Sequence, residues 1–150
     1  MPVKNSVTCL CGSVTICAEI KDPKYCVCHC SSCQTWSGGP LLMAHCGSDV
    51  ELKGEAFVRE YASSAWATRA FCTECGTHLF SRLTADNSYN VPVGLLASEL
   101  PLKMDMQYFI DQKPNHYCFS NTTKTMTKSE VFAHFQSESP IEMHANKDSQ

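Results

Sequence analysis

Seven cysteines in three tight clusters constrain this chain more than any other feature: Cys9-Leu10-Cys11, Cys28-His29-Cys30-Ser31-Ser32-Cys33 and Cys72-Thr73-Glu74-Cys75. Cysteines spaced this closely make poor disulfides, whereas one turn can aim two sulfurs at a single ion. A structural zinc takes four ligands in a tetrahedron, so a two-cysteine turn needs a second turn as its partner. The natural pairing sets Cys9 and Cys11 with Cys72 and Cys75. It closes a loop of about sixty residues and pins the start of the chain to its middle. Cys28, Cys30 and Cys33 then stand alone. Zinc on three protein ligands keeps a fourth position for water or substrate, which is the pattern of a catalytic site. Two other readings stay open. A fourth ligand from Cys26, His29, His45, Cys46 or His78 would close the site, and a disulfide within the triplet would abolish it.

The choice between metal and disulfides turns on the compartment. The chain has eleven cysteines in 150 residues. A disulfide scaffold suits a secreted chain, but the residues from Met1 to Ser6 lack the apolar run of a signal peptide. A reducing, cytoplasmic location is therefore expected, and with it metal binding. The net charge is −3, with Lys and Arg scattered rather than grouped. No nucleic-acid partner is expected, because such partners select a basic patch or stripe. The longest apolar stretches are short and interrupted, so no membrane span is expected either.

Short alternating segments with turn signals between them predict a mostly β domain. Residues 1–20 read as a hairpin that reverses at Gly12, and 40–46 as a buried strand. Residues 68–71 and 78–82 flank the third cysteine cluster as a second hairpin. Strands are also expected at 57–61, 90–93 and 106–110. Residues 21–39 read as loop, 51–54 as a turn and 94–101 as a connection. Helix is scarce, with one short turn expected at 128–134. A single domain over 1–136 and a polar tail over 137–150 complete the reading.

The cysteine order, together with Cys11-Gly12, Ser37-Gly38-Gly39-Pro40, Gly54-Glu55, Tyr61-x-Ser63-Ser64, Phe71-Cys72-x-x-Cys75-Gly76-Thr77-x-Leu79-Phe80, Val91-Pro92-Val93-Gly94, Phe109-Ile110 and Lys113-Pro114, resembles the glutathione-dependent formaldehyde-activating enzyme family. That family also contains the centromere protein V relatives. The resemblance covers about residues 6–120. It implies a zinc-binding β-tent of short antiparallel strands and two zinc ions per chain. The structural ion would sit on Cys9, Cys11, Cys72 and Cys75, the second on Cys28, Cys30 and Cys33. The family reaction joins glutathione to formaldehyde, and in reverse it is a carbon–sulfur lyase. The expected activity is therefore formation or cleavage of S-hydroxymethylglutathione, or of a related glutathione conjugate. The alternative is a non-catalytic zinc-binding scaffold or glutathione-binding module like the centromere relatives. A homodimer is compatible with either.

Glutathione is anionic, so its pocket should offer cations and N–H donors. Ser37, Gly38 and Gly39 follow the triplet and expose backbone N–H groups, Trp36 is placed to cover the site, and Arg69 and Lys24 are the charged candidates. Each has a plain alternative: a turn for Ser37 to Pro40, core for Trp36, solvated charges for Arg69 and Lys24. Cys17, Cys26, Cys46 and Cys118 read as small apolar residues. His29 reads as solvent-facing, with general-base duty as a minor alternative, and His78 as outward-facing. Tyr61, Glu74 and Asp111 are acid–base candidates with no geometry behind them.

Overall fold

A computed structural model describes residues 4–96 and 101–138. Its first hairpin pairs β1 (Asn5–Thr8) with β2 (Thr15–Ala18) in antiparallel register, with Val7 opposite Ile16. Val7, Val14, Ile16 and Ala18 are buried, as two-residue alternation requires of a half-buried strand. The reversal carries Cys9 and Cys11, and the Gly12 N–H donates to the Cys9 carbonyl at 3.0 Å. β5 (Val50–Lys53) adds to β2 and completes a three-stranded sheet. The sequence expectation of a turn at 51–54 is corrected here. Val50 and Leu52 alternate with Glu51 and Lys53, and both apolar residues pack on the core.

The second sheet has eight strands: β3 (Lys24–Cys28), β4 (Leu41–Gly47), β6 (Val58–Ser64), β7 (Ala67–Cys72), β8 (His78–Leu83), β9 (Tyr89–Pro92), β10 (Lys103–Tyr108) and β11 (Lys124–Met126). They lie in the order β11-β10-β3-β4-β9-β8-β7-β6. β10 runs parallel to both β3 and β11, and every other pair is antiparallel. Among the described residues three α-helices accompany the sheets: α1 (Ser31–Ser37), α2 (Val93–Leu96) and α3 (Lys128–Glu138).

Residues 21–39, expected as loop, contain β3 and α1. Val27 is fully buried and pairs with Leu42 on one side and Gln107 on the other. Partners so distant leave no mark in the local sequence. Likewise α3 is an 11-residue helix rather than one turn, and α2 opens the stretch expected as a connection. The remainder of that connection at 97–100, and the expected tail from residue 139 onward, lie outside the described residues. Among the described residues, no helix is long and apolar enough to cross a membrane.

Two apolar clusters form the interior. Val14, Ile16, Leu79, Phe80, Val91 and Leu96 join the three-stranded sheet to β8 and β9, and Cys9 and Cys72 belong to the same cluster. The second gathers Leu41, Phe109 and Val131 around Cys28, Cys30 and Cys33. The triplet is thus embedded in its own core, whereas the group of four sits at the edge of the first cluster, with Cys9 and Cys72 buried and Cys11 exposed.

Gly54, just past β5, packs closely on the first hairpin. Its φ is +83°, and a Cβ there would sit 2.0 Å from the carbonyl oxygen of Ser13 in the first hairpin. Gly47 also has positive φ (+67°) but open space around it. Gly47→Ala should therefore cost only the left-handed backbone penalty, about 1–2 kcal/mol. Gly54→Ala adds a backbone clash and should cost about 3 kcal/mol or more. Urea unfolding of the two variants side by side checks the difference.

Candidate metal centres and the adjoining cavity

The first centre is built from two hairpin turns on different sheets. Cys9 and Cys11 come from the β1–β2 turn, Cys72 from the end of β7 and Cys75 from the β7–β8 turn. Their four sulfurs all lie within 4.8 Å of one another. Zinc–sulfur bonds of about 2.3 Å place tetrahedral sulfurs about 3.8 Å apart. Cys9 and Cys11 are 3.7 Å apart, and Cys11 and Cys72 are 3.8 Å apart. The donor set therefore fits a tetrahedral zinc.

Hydrogen bonds prepare these sulfurs for negative charge. The Val14 N–H donates to Cys9 Sγ at 3.3 Å and the Glu74 N–H to Cys72 Sγ at 3.4 Å. Thr77 Oγ1 accepts from the Leu10 N–H at 3.1 Å, which leaves its hydroxyl proton for Cys75 Sγ, also 3.1 Å away. One threonine thus links the two turns. That hydroxyl, followed by the Thr77 N–H, lowers the Cys75 pKa to about 5. Donors aimed at a sulfur favour the thiolate, the form that binds metal.

The second centre is the triplet. Cys28 ends β3, Cys30 caps α1 and Cys33 lies in the first turn of that helix. All three are buried, and their sulfurs lie within 4.8 Å of one another. The Cys33 N–H donates to Cys30 Sγ at 3.3 Å, so the ligand doubles as the N-cap. Cys30 is lowered to about 3, chiefly by hydrogen bonds from the Cys28 and Cys33 thiols, and Arg69 helps. Cys28 is raised well above its usual value, first by the bond it gives to Cys30. The bare triplet therefore holds one thiolate solvated by two thiols. Among the described residues, no fourth His, Cys, Asp or Glu ligand atom comes within 4.8 Å of all three sulfurs. The sulfurs are unlinked. Three soft donors without a fourth fit zinc with one position free.

Cys26, the nearest alternative ligand in sequence, donates instead to the Met43 carbonyl at 3.6 Å. Burial raises its pKa to about 12. His29 does not face solvent. It is fully buried, with Nε2 2.8 Å from Gln107 Oε1 and Nδ1 2.8 Å from the Tyr117 hydroxyl. The Gln107 amide nitrogen donates to Thr123, so its oxygen accepts from His29 Nε2–H and Nδ1 accepts from Tyr117. Burial lowers the His29 pKa and keeps the ring neutral. Both nitrogens are engaged, which leaves neither for base work. His78 does not face outward either. It stacks on Trp36 at 3.9 Å between centroids, with an interplanar angle of 7°.

The triplet opens on a cavity of about 440 Å³. Arg69 from β7 lines it and is only 8% exposed. Its Nη1 donates to Cys33 Sγ at 3.5 Å and its Nε to Ser63 Oγ at 3.1 Å. The guanidinium also lies 5.3 Å from the Trp36 ring centroid. Sequence reasoning gave no role to the other polar groups on the wall, among them Ser63, Ser81, Asp86, Ser88 and Asn90. They come from β6, β8, β9 and the turn that leads into β9, and share a surface only in the fold. The Ser88 side chain is buried beside the Asp86 carboxyl and helps to hold it below the usual carboxylate range.

Trp36, Ser37, Gly38 and Gly39 do not line this cavity. Ser37 Oγ donates to the Cys33 carbonyl at 2.7 Å, and the Gly38 N–H closes α1 on the Gln34 carbonyl. Lys24 lines a neighbouring cavity of about 670 Å³ beside Asp49 and Asp105.

Comparison with known proteins agrees with this geometry. A family model described as glutathione-dependent formaldehyde-activating enzyme matches residues 4–112. The chain is 36% identical over 124 residues to an uncharacterized lyase of Schizosaccharomyces pombe, covering 82% of this chain and 90% of that protein. It is also similar to a Rhodobacter sphaeroides protein solved by crystallography, with a TM-score of 0.55 and 25% identity. That match covers 65% of this chain and 92% of the other.

Two measurements probe the centres. Cys72→Ser should lower bound metal by one equivalent and the thermal midpoint by about 10 °C or more, because metal binding at such a site is folding energy. Metal analysis and a melting curve on the same sample test this. His29→Phe should cost about 2–4 kcal/mol, since Gln107 and Tyr117 lose their partner inside the protein. A solvent-facing histidine would cost under about 0.5 kcal/mol. Urea unfolding of the metal-replete protein separates the two.

Proposed function

Because the chain belongs to the glutathione-dependent formaldehyde-activating enzyme family, we propose that it is a carbon–sulfur lyase acting on an adduct of glutathione with an aldehyde. The observation that carries this reading is the buried three-cysteine group opening directly onto a cavity with a cation at its edge. When bound there, zinc supplies a position that takes a thiol and holds it as the thiolate. A free thiol of pKa about 8.5 is only a few per cent ionised at pH 7.

The remaining work falls to the chain itself. Three thiolates on a divalent ion leave a net charge near −1, and an incoming thiolate makes it more negative. Arg69 is buried beside Cys33 and offsets this charge where water cannot. Ser63 and Trp36 fix the guanidinium, so its orientation does not wait on the ligand. Ser81, Ser88 and Asn90 supply polar partners for the peptide groups of glutathione, with Asp86 beside Ser88 on the same wall to take its ammonium. Burial of the reacting sulfur excludes solvent and fixes its approach to the carbonyl, which supplies a proximity term. Ser37, Gly38 and Gly39 contribute by holding the end of α1, and through it Cys33.

Cys33→Ser provides the test. The variant should lose one metal equivalent and the catalysed exchange between adduct and free glutathione. Its melting temperature should fall less than that of Cys72→Ser, because the four-cysteine centre that joins the two sheets remains. Magnetisation-transfer NMR with glutathione and a set of aldehydes, formaldehyde included, measures exchange above the spontaneous rate. Full catalysis in Cys33→Ser would reject the assigned site.

A further inference from the structure

Beside its polar groups, the same cavity has apolar lining: Leu83 and Trp66 from the β6–β8 side that also carries Arg69, and Phe109, Val131 and Phe135 from later in the chain. A hydroxymethyl group is one carbon and one oxygen, and needs no apolar surface of this extent. Glutathione itself is polar along its whole length and gains nothing there. The wall is also deliberately held. Phe109 has φ of +58°, a left-handed backbone that an aromatic residue rarely adopts, and its ring is 3% exposed against Phe132. Strain of this kind persists only where surrounding packing enforces it. Val131 and Phe135 lie on α3, beyond residue 112 where the family match ends.

We infer that the aldehyde partner is an apolar one of alkyl or aryl size, so that the site handles a glutathione thiohemiacetal whose carbon side rests on Phe109, Val131, Phe135, Leu83 and Trp66. This rests on the lyase reading above and specifies its substrate class. The step balances without a further reactant. In the forward direction the sulfur–carbon bond forms as the carbonyl π bond opens, and the thiol proton ends on the carbonyl oxygen. In reverse the hydroxyl proton returns to sulfur as the aldehyde leaves. A pocket of about 440 Å³ is within the ordinary range for a ligand of this size.

Stable thioethers test the wall without turnover. Calorimetric titration of the zinc-loaded protein compares glutathione, S-methylglutathione and S-hexylglutathione. The hexyl compound should bind at least tenfold more tightly than the methyl compound. Phe135→Ala and Leu83→Ala, from opposite sides of the wall, should each lower that hexyl-to-methyl ratio by at least threefold. The ratio is read within each variant, so a general loss of stability does not imitate the effect. Equal affinity for the two thioethers, with glutathione binding normally, overturns the inference and leaves the lyase reading standing. A ratio unchanged in both variants also overturns it. Failure of all three compounds to bind the wild-type protein would sink the lyase reading as well.

Discussion

Buried sulfur needs a counter-charge, and this constraint organises the molecule. Cys9 and Cys72 are 4% and 0% exposed within an apolar cluster, and their sulfurs sit against the sulfur of Cys11. Four thiolates at such distances would repel strongly in a low-dielectric interior without a cation among them. The two turns that bear them belong to different sheets. An ion at this point therefore joins the three-stranded sheet to the eight-stranded one, in a protein whose first sheet is held by four-residue strands. The hydrogen bonds from Val14 and Thr77 favour the thiolate at Cys9 and Cys75 before any ion arrives, whereas burial pushes Cys72 up to about 11 despite the Glu74 N–H.

The two centres are not independent. Thr77 bonds to one sulfur and to the opposing turn, and the next residue, His78, stacks on Trp36 of α1. Trp36 lies under Arg69, and Arg69 donates to Cys33. A short chain of packed rings and one cation thus runs from the four-cysteine centre to the triplet. The ring that covers nothing in the cavity instead sets the guanidinium that does line it. This explains how Trp36 sits close to the site without contacting its contents.

What the sequence disclosed follows from where the information lies. The cysteine turns and their hairpins were legible because both ligands of a turn, and the glycine that lets it reverse, are neighbours in the chain. The division into a group of four and a group of three followed from cluster spacing together with the family resemblance. β3 was hidden because its pairing partners, β4 and β10, lie far off in sequence. α1 was hidden because its cap is Cys30, outside the Ser, Thr, Asp and Asn set that marks a helix start. His29 was misread for a related reason. Lying between two ligands suggests exposure, whereas its partners are Gln107 and Tyr117, 78 and 88 positions away. The polar wall of the cavity is equally non-local, since Ser63, Ser81 and Ser88 share a surface only after β6 to β9 have paired.

Arg69 shows how these long-range terms become chemistry. In sequence it is one cation in a strand, and a solvated side chain is the ordinary outcome. Pairing with Tyr61 and Ser81 places it in the interior of the sheet, where a lone guanidinium would be costly. The negative triplet removes that cost, and the arginine in turn lowers the cost of gathering three sulfurs. Each makes the other's burial tolerable. The guanidinium stands 3.5 Å from Cys33 Sγ, and from there it also offsets the charge of any further anionic ligand that the site takes in.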